Sequence, residues 1–152
     1  MGGEPERDTV EFAFGTTEGG EFSSRASRGR ATAVLFVTTY DLASQLVARR
    51  LDDVVRSRRP RANAGAVVLE APKYAVFADA FRTSLNLSYP VAIADDDTRL
   101  NSGPFGRIDR VPTLVVLDRS SREVWRKPGA LTEQEIDEAL AKGGQSGSDW
   151  VP

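Results

Sequence analysis

Two residue types that often carry chemistry are missing from this chain of 152 residues, which contains no Cys and no His. Without Cys there is no thiolate nucleophile, no disulfide and no thiol-based redox chemistry. Without His there is no imidazole base and no imidazole ligand for a metal. Catalysis would have to use carboxylates, hydroxyls, Lys or a bound group, and we expect neither a cofactor nor a metal ion.

The most prominent acidic cluster is Asp95-Asp96-Asp97, which follows a run of apolar residues. Three adjacent carboxylates could indicate a calcium-binding site. However, the cluster lacks the spaced ligands, central Gly and closing Glu of an EF-hand loop. We therefore interpret these residues as a solvent-facing turn that caps the helical turn after it.

A second candidate, Asp41, lies in a short polar corner (residues 38–41) between an apolar run at 34–37 and a helical pattern. The run is typical of a buried strand, and the pattern predicts a helix over residues 42–58 that stops before Pro60. The corner therefore stands at a helix N-terminus, where unpaired N–H groups and the macrodipole favour negative charge. Asp41 is a good candidate for the N-cap, and better than Thr39.

The elements around this corner follow from hydrophobic periodicity. Strands are predicted at residues 10–14, 21–24, 64–69, 89–94, 111–117 and 122–126, with a turn at 16–20 and a basic connector at 25–30. A helix that begins at Pro72 carries an apolar stripe, which we assign to the core: Tyr74, Phe77, Phe81 and Leu85. We expect one domain over residues 10–142, a disordered segment 1–9 and a flexible tail 143–152.

The last helix has the clearest boundaries. Thr132 and Glu135 match a capping box, and Leu131 with Ile136 match a hydrophobic staple. A pair of glycines, residues 143–144, is predicted to end this helix.

Charge limits the partners that we expect. The net charge is −2, but residues 25–61 contain nine Arg against three Asp. We interpret these Arg as a solvated face, and a patch for an anionic partner is the alternative. Aromatic residues do not interleave with them, so we expect no nucleic-acid binding. No stretch of about 18 apolar residues predicts a membrane-spanning helix.

Taken in order, these elements resemble the thioredoxin superfamily, and most closely its TlpA-like and redoxin (AhpC/TSA) branch. The resemblance covers about residues 10–141 and is carried by the hairpin 12–29, Val34-Leu-Phe-Val-Thr-Thr-Tyr40, Tyr89-Pro-Val91 with Asp95, Gly106-Arg-Ile-Asp-Arg-Val-Pro-Thr113, Val115-Val-Leu-Asp118 and Gly129-Ala-Leu-Thr-Glu-Gln-Glu135. It implies an α/β fold: a thioredoxin-like three-layer α/β/α sandwich with a mixed central sheet and an N-terminal β-hairpin extension.

The chain departs from this family at the active corner. Relatives carry Trp-Cys-x-x-Cys where this sequence has Tyr40-Asp-Leu-Ala-Ser44, so Asp41 and Ser44 occupy the positions of the family cysteines. The Thr-x-x-Cys of peroxiredoxin-like relatives is also lost, because Asp41 follows Thr38 at that spacing. Leu35 stands where thioredoxins hold a buried acid. Three interpretations of Asp41 remain open: a structural cap, a polar contact in a binding cleft, or an unrecognised catalytic carboxylate.

The resemblance also implies a binding groove. In the family, Val-Pro-Thr forms a cis-proline loop that faces the corner, and the residue before the proline pairs with substrate backbone. That edge could still bind an extended peptide by strand addition, because pairing depends on backbone geometry and not on sulfur. The candidate groove residues are Thr38, Thr39, Tyr40, Leu42 and Ala43 at the corner, and Arg110, Val111, Pro112 and Thr113 on the loop.

These observations favour a non-catalytic module that binds a peptide or protein, and we expect no enzyme activity. The alternatives are a thiol-disulfide oxidoreductase or antioxidant role that uses a partner's thiols, and a structural subunit of a redox complex. TlpA-like relatives are often exported and tethered, so the resemblance implies a bacterial periplasmic or envelope location. The Met1-Gly-Gly3 start would then follow a removed signal or lipid-carrying Cys.

Overall fold

A computed structural model describes residues 9–145, which form a mixed five-stranded sheet and a separate two-stranded hairpin. The strands are β1 (Ala13–Gly15), β2 (Glu21–Ser23), β3 (Thr32–Val37), β4 (Asn63–Val68), β5 (Val91–Ile93), β6 (Thr113–Leu117) and β7 (Glu123–Pro128). The sheet order is β5-β4-β3-β6-β7, in which β3, β4 and β5 are parallel and β6 is antiparallel to both neighbours. The predicted α/β class, mixed sheet and N-terminal hairpin are confirmed.

The described helices are α1 (Ser24–Ser27), α2 (Leu42–Ser57), α3 (Ala75–Ser84), α4 (Asp96–Arg99) and α5 (Glu133–Gln145), with a 3-10 turn at Pro72–Tyr74. α1 lies where the sequence predicted only a basic connector. It forms because Ser23 caps it, accepting a hydrogen bond from the Ala26 N–H at 3.2 Å. Asp95 caps α4 by accepting from the Thr98 N–H at 2.9 Å, which confirms the predicted capping turn.

Alternate residues of β3 supply the two faces of the core. Leu35 and Val37 point to one face, which α2, α3 and α5 cover, whereas Val34 and Phe36 point to the other. The second face is covered by aromatic side chains of the N-terminal hairpin region and of the segment after α4, namely Phe12, Phe14, Phe22 and Phe105. All of β3 is buried, as its unbroken apolar run predicted.

The predicted strand at residues 10–14 is wrong in extent, because only its end belongs to β1. Phe12 instead exchanges hydrogen bonds with Ser24, whose Oγ accepts from the Phe12 N–H at 3.1 Å. Further back, the Val10 N–H donates to the Ser121 carbonyl at 2.7 Å, and Thr9 bridges to Arg122. Residues 1–8 and 146–152, where disorder was predicted, lie outside the described residues.

The capping box of α5 is confirmed. The Glu135 N–H donates to Thr132 Oγ1 at 3.1 Å, and the Thr132 N–H donates to Glu135 Oε1 at 3.0 Å. The predicted end at residues 143–144 is wrong, because α5 continues to Gln145. Gly143 is a packing residue: a Cβ there would lie 2.9 Å from Val116 Cγ1. The glycine therefore lets the helix approach the sheet.

Candidate functional site

The polar corner joins β3 to α2, and Asp41 is the N-cap of that helix as predicted. The Ser44 N–H and the Ser44 hydroxyl both donate to Asp41 Oδ2, each at 2.9 Å. Ser44 is fully buried, and its Oγ also accepts from the Thr38 N–H at 3.3 Å. The two residues at the family cysteine positions are thus bonded to each other and close the first turn of α2.

Glu70 holds the corner from the neighbouring strand. It follows β4, which pairs with β3 so that Val68 lies opposite Val37. Its carboxylate accepts from the Thr39 N–H at 2.5 Å and from Thr39 Oγ1 at 2.8 Å. From the other side, Gln45 Nε2 donates to the Thr39 carbonyl at 3.1 Å. Thr39 is therefore fixed by three hydrogen bonds, all of them to two residues, Glu70 and Gln45, that the sequence analysis did not single out.

A cavity of about 620 Å³ opens beside this corner, between the start of α2 and α3. Its lining is mostly apolar and aromatic, with one carboxylate, and comprises Thr39, Tyr40, Gln45, Glu70, Tyr74, Phe77, Ala80, Phe81, Ser84 and Leu85. Such a volume and lining are typical of sites for small ligands or single side chains.

Large apolar side chains stand exposed around this cavity. Tyr40 is 78% exposed, and Leu42, the first residue of α2, is 79% exposed but does not line the cavity. On the other rim, Phe77 is 52% and Tyr74 is 43% exposed. The assignment of Tyr74 and Phe77 to the core is therefore wrong, whereas Phe81 is buried as predicted. The first turn of α3 borders the cavity instead of packing on the sheet, which leaves these two rings in solvent.

The loop before β6 lies at the same end of the sheet. Thr113 pairs with Phe36 of β3, so Pro112 lies level with Val37, the last residue of β3, and Val111 lies level with Thr38. The Val111–Pro112 peptide is cis, as predicted. Among residues 9–145, no backbone hydrogen bond engages the N–H or carbonyl of Val111. Arg110 and Thr113 border a smaller cleft of about 200 Å³, so the loop does not line the large cavity.

Two buried polar contacts fix the far half of α2. Asp52 is 3% exposed and accepts from the Ser88 N–H at 2.8 Å and from Arg56 Nε at 2.6 Å. Burial alone would raise the pKa of Asp52, but the hydrogen bonds from Ser88 and Arg56 lower it overall. The Tyr89 hydroxyl donates to the Ala48 carbonyl at 2.7 Å, and burial beside Asp52 raises the pKa of Tyr89 well above its usual value. These contacts hold α2, and with it the corner, against the 85–90 loop.

The arrangement at the corner offers little chemistry. Asp41 Oδ2 is occupied by Ser44, and Leu35 is a fully buried apolar residue in the strand before it. Within residues 9–145, no group of three or more His, Cys, Asp or Glu side chains could hold a metal ion. In that same part of the chain, no helix has the length and apolar character needed to cross a membrane.

Solved structures with the same arrangement of elements identify the fold. A thioredoxin-family thiol:disulfide interchange protein from Chlorobium tepidum matches with a TM-score of 0.74 and 21% sequence identity, over 93% of this chain and 99% of that protein. The chain has a thioredoxin fold. A secreted disulfide oxidoreductase of Mycobacterium tuberculosis matches this thioredoxin fold with a TM-score of 0.68 and 18% identity, over 87% of this chain and 96% of that protein.

A third match is the exposed lipoprotein thioredoxin of Streptococcus pneumoniae, with a TM-score of 0.68 and 17% identity, over 86% of this chain and 98% of that protein. These three structural neighbours are bacterial proteins of the thioredoxin or disulfide-oxidoreductase kind, in agreement with the predicted resemblance. No protein-family model and no curated protein matches the sequence. At these identities the likeness establishes the thioredoxin fold alone.

Four of the nine predicted groove residues line a cavity, in two separate groups, whereas Thr38, Leu42, Ala43, Val111 and Pro112 line neither of the two. Thr39 and Tyr40 line the large cavity, and Arg110 and Thr113 line the smaller cleft. The residues that sequence reasoning missed are Gln45, Glu70, Tyr74 and Phe77. One signal could have located Glu70. It follows a buried parallel strand that adjoins β3, and the carboxyl ends of adjacent parallel strands meet at one edge of a sheet, where ligands commonly bind.

Proposed function

We propose that this protein is a non-catalytic binding module, which holds an extended peptide or a segment of a partner protein at the corner between β3 and α2. The observation that carries the proposal is the set of exposed apolar side chains at the corner and the cavity: Tyr40 and Phe77, which line the cavity, and Leu42 at the start of α2. Contiguous exposed apolar groups with a polar rim are typical of interaction sites. Covering such side chains would contribute about 1.5–3 kcal/mol each if burial were complete.

Two features support an extended peptide as the occupant. The backbone of Val111 has no partner in the described residues, and it lies at the same end of the sheet as the corner. An extended chain could pair there while it places a side chain toward the cavity. Within the cavity, Glu70 is the one carboxylate, and its oxygens accept hydrogen bonds from Thr39 alone. We therefore propose that the bound side chain is apolar with a cationic or hydrogen-bond-donating end.

Loss of the redox role is part of the same proposal. A thioredoxin-type exchange needs a thiolate at the helix N-terminus. The chain has no Cys, and the residues at those positions, Asp41 and Ser44, are bonded to each other. The thioredoxin fold and the exposed apolar side chains around the cavity are present although the nucleophile is absent. This supports the binding of a partner as the remaining role.

We also propose an envelope location. The support is indirect: one structural neighbour is described as secreted and another as an exposed lipoprotein. Fusing the protein to a reporter that is active only outside the cytoplasm would test the location separately from the binding role. Reporter activity would support an envelope location, and its absence would contradict one.

Affinity selection tests the binding role directly. A library of random peptides is selected on the immobilised protein, and the enriched peptides are titrated by calorimetry. We expect Tyr40→Ala and Phe77→Ala to weaken binding by about tenfold or more. Leu100→Ala is the matched control, because Leu100 is 75% exposed but does not line the cavity. Enriched peptides that bind all three variants equally would exclude the proposed site.

A reductase assay tests the loss of catalysis. The purified protein is incubated with insulin and dithiothreitol, and separately with peroxide and a thiol donor. We expect no turnover above the buffer rate in either assay. Turnover that persists in repeated preparations would overturn the non-catalytic assignment, whatever the outcome of the peptide experiment.

A further inference from the structure

Four arginines converge at the end of the sheet opposite the corner. A cleft of about 450 Å³ there is lined by Arg30, Arg58, Arg61 and Arg119, and its described lining contains no acidic residue. Arg30 and Arg61 lie just before β3 and β4, whereas Arg119 lies just after β6, which runs antiparallel to β3. The topology therefore brings residues from three separate loops to one place.

Most of these side chains lack a counter-ion in the part of the chain that the structure describes. Arg58 forms an ion pair with Asp137, but Arg30, Arg61 and Arg119 have no ion pair among residues 9–145. Some arginines elsewhere are paired, such as Arg28 with Glu11 at 2.8 Å, and others are not, so the feature that distinguishes Arg30, Arg61 and Arg119 is that three unpaired guanidinium groups line one cleft. With a net charge of −2, the chain has no general excess of cations that would produce such a cluster by chance.

The dipoles of the helices do not explain the cluster. Arginines stabilise the C-terminal end of a helix, and Arg58, the C-cap of α2, has that position. Arg30, Arg61 and Arg119 belong to loops and follow no helix directly. Their convergence therefore leaves several guanidinium groups around one cleft whose charge nothing in the described chain offsets.

A second cleft extends the basic surface. It has a volume of about 480 Å³, shares Arg61 and Ala62 with the first cleft, and adds Arg56 and Arg59. Arg56 is already engaged by Asp52. Arg59 has no ion pair among residues 9–145 and donates to the Arg56 and Arg58 carbonyls. The first cleft therefore has three arginines without an ion pair and the second has two, and Arg61 belongs to both.

We propose that the cleft lined by Arg30, Arg58, Arg61 and Arg119 binds a phosphate group. Guanidinium groups bind phosphate oxygens through paired, charge-assisted hydrogen bonds, and several of them around one cleft suit a multiply charged oxyanion. The volume lies within the range that small ligands occupy. The phosphate could belong to a free phosphorylated molecule or to a lipid headgroup. This site is independent of the proposed peptide site, because the two lie at opposite ends of the sheet.

Calorimetric titration of the purified protein with inorganic pyrophosphate tests the site. We expect saturable binding that weakens as salt is added, because charge contributes most of the affinity. Arg61→Gln and Arg119→Gln should each weaken binding by about tenfold or more. Arg107→Gln removes the same charge at the opposite end of the sheet, where Arg107 lines the cleft of about 200 Å³, and should leave pyrophosphate binding unchanged. Circular dichroism confirms that each variant is folded.

The source of the phosphate is separated by vesicle flotation. Vesicles that contain phosphatidic acid are compared with vesicles in which phosphatidylserine supplies the same total negative charge. Flotation only with phosphatidic acid, lost in Arg61→Gln, would indicate a lipid headgroup, whereas pyrophosphate binding without flotation would indicate a free ligand. The proposal is overturned if pyrophosphate shows no saturable binding, or if Arg107→Gln weakens binding as much as Arg61→Gln does.

Discussion

Replacing Asp41 tests whether the residue at the first cysteine position is a helix cap. In Asp41→Ala the Ser44 N–H loses its acceptor, which costs about 1 kcal/mol at a typical N-cap. The Ser44 hydroxyl loses the same acceptor inside the protein, where it is fully buried, and an unsatisfied buried group costs about 1 kcal/mol or more. We therefore expect a total loss of about 2 kcal/mol in the free energy of unfolding.

Asp41→Asn is the matched variant, because its amide oxygen can accept both hydrogen bonds. It loses only the interaction of the negative charge with the helix dipole, which is about 0.5 kcal/mol near a surface. In a chain of this size, each kcal/mol corresponds to about 2–4 °C, so Asp41→Ala should melt about 4–8 °C below the wild type.

Urea unfolding followed by circular dichroism gives the free energies. The slope against urea concentration should stay constant, because the variants expose the same surface when they unfold. If Asp41→Ala unfolds at the same urea concentration as the wild type, the carboxylate is not a structural cap. A loss of stability in Asp41→Asn as large as that in Asp41→Ala would mean that the charge, and not the hydrogen bonds, stabilises the corner.

Three further predictions concern the scaffold. Gly65→Ala should lower the free energy of unfolding by about 1–3 kcal/mol in urea, since its Cβ would lie 2.5 Å from the Phe22 ring. The pKa of Asp52 is lowered in the folded state, so the stability that its carboxylate contributes is present above about pH 4 and is lost as the pH falls further. Unfolding measured as a function of pH should show this loss in the wild type and not in Asp52→Asn. The double variant Asp41→Cys/Ser44→Cys should reduce insulin, and the pKa of its thiol at position 41 should lie below the ordinary value for Cys. An inactive variant would mean that the corner no longer has catalytic geometry.

The elements that sequence predicted best are those specified by local interactions. Asp41, Thr132 and Glu135 were recognised as capping residues because a cap involves only neighbours three residues away, and each makes the expected hydrogen bond. The unbroken apolar run of β3 likewise indicated a strand buried on both faces, which the structure confirms.

The errors arise where distant residues decide the outcome. Hydrophobic periodicity placed Tyr74 and Phe77 in one stripe with the buried Phe81. Periodicity identifies the apolar side of a helix, but it does not show which turns of that helix lie over the sheet and which do not. Gly143 was taken as a helix terminator, although its actual role depends on the approach of α5 to Val116. Glu70 received no role, because its hydrogen bonds to Thr39 span 31 residues of sequence.

The most direct test of the binding role is a nuclear magnetic resonance titration of the isotope-labelled protein with a selected peptide. We predict that the largest shift changes occur at Tyr40, Glu70 and Phe77, around the cavity, with a new hydrogen-bonded amide at Val111. Saturable binding whose shift changes all lie elsewhere, or the absence of any peptide that binds, would contradict the account.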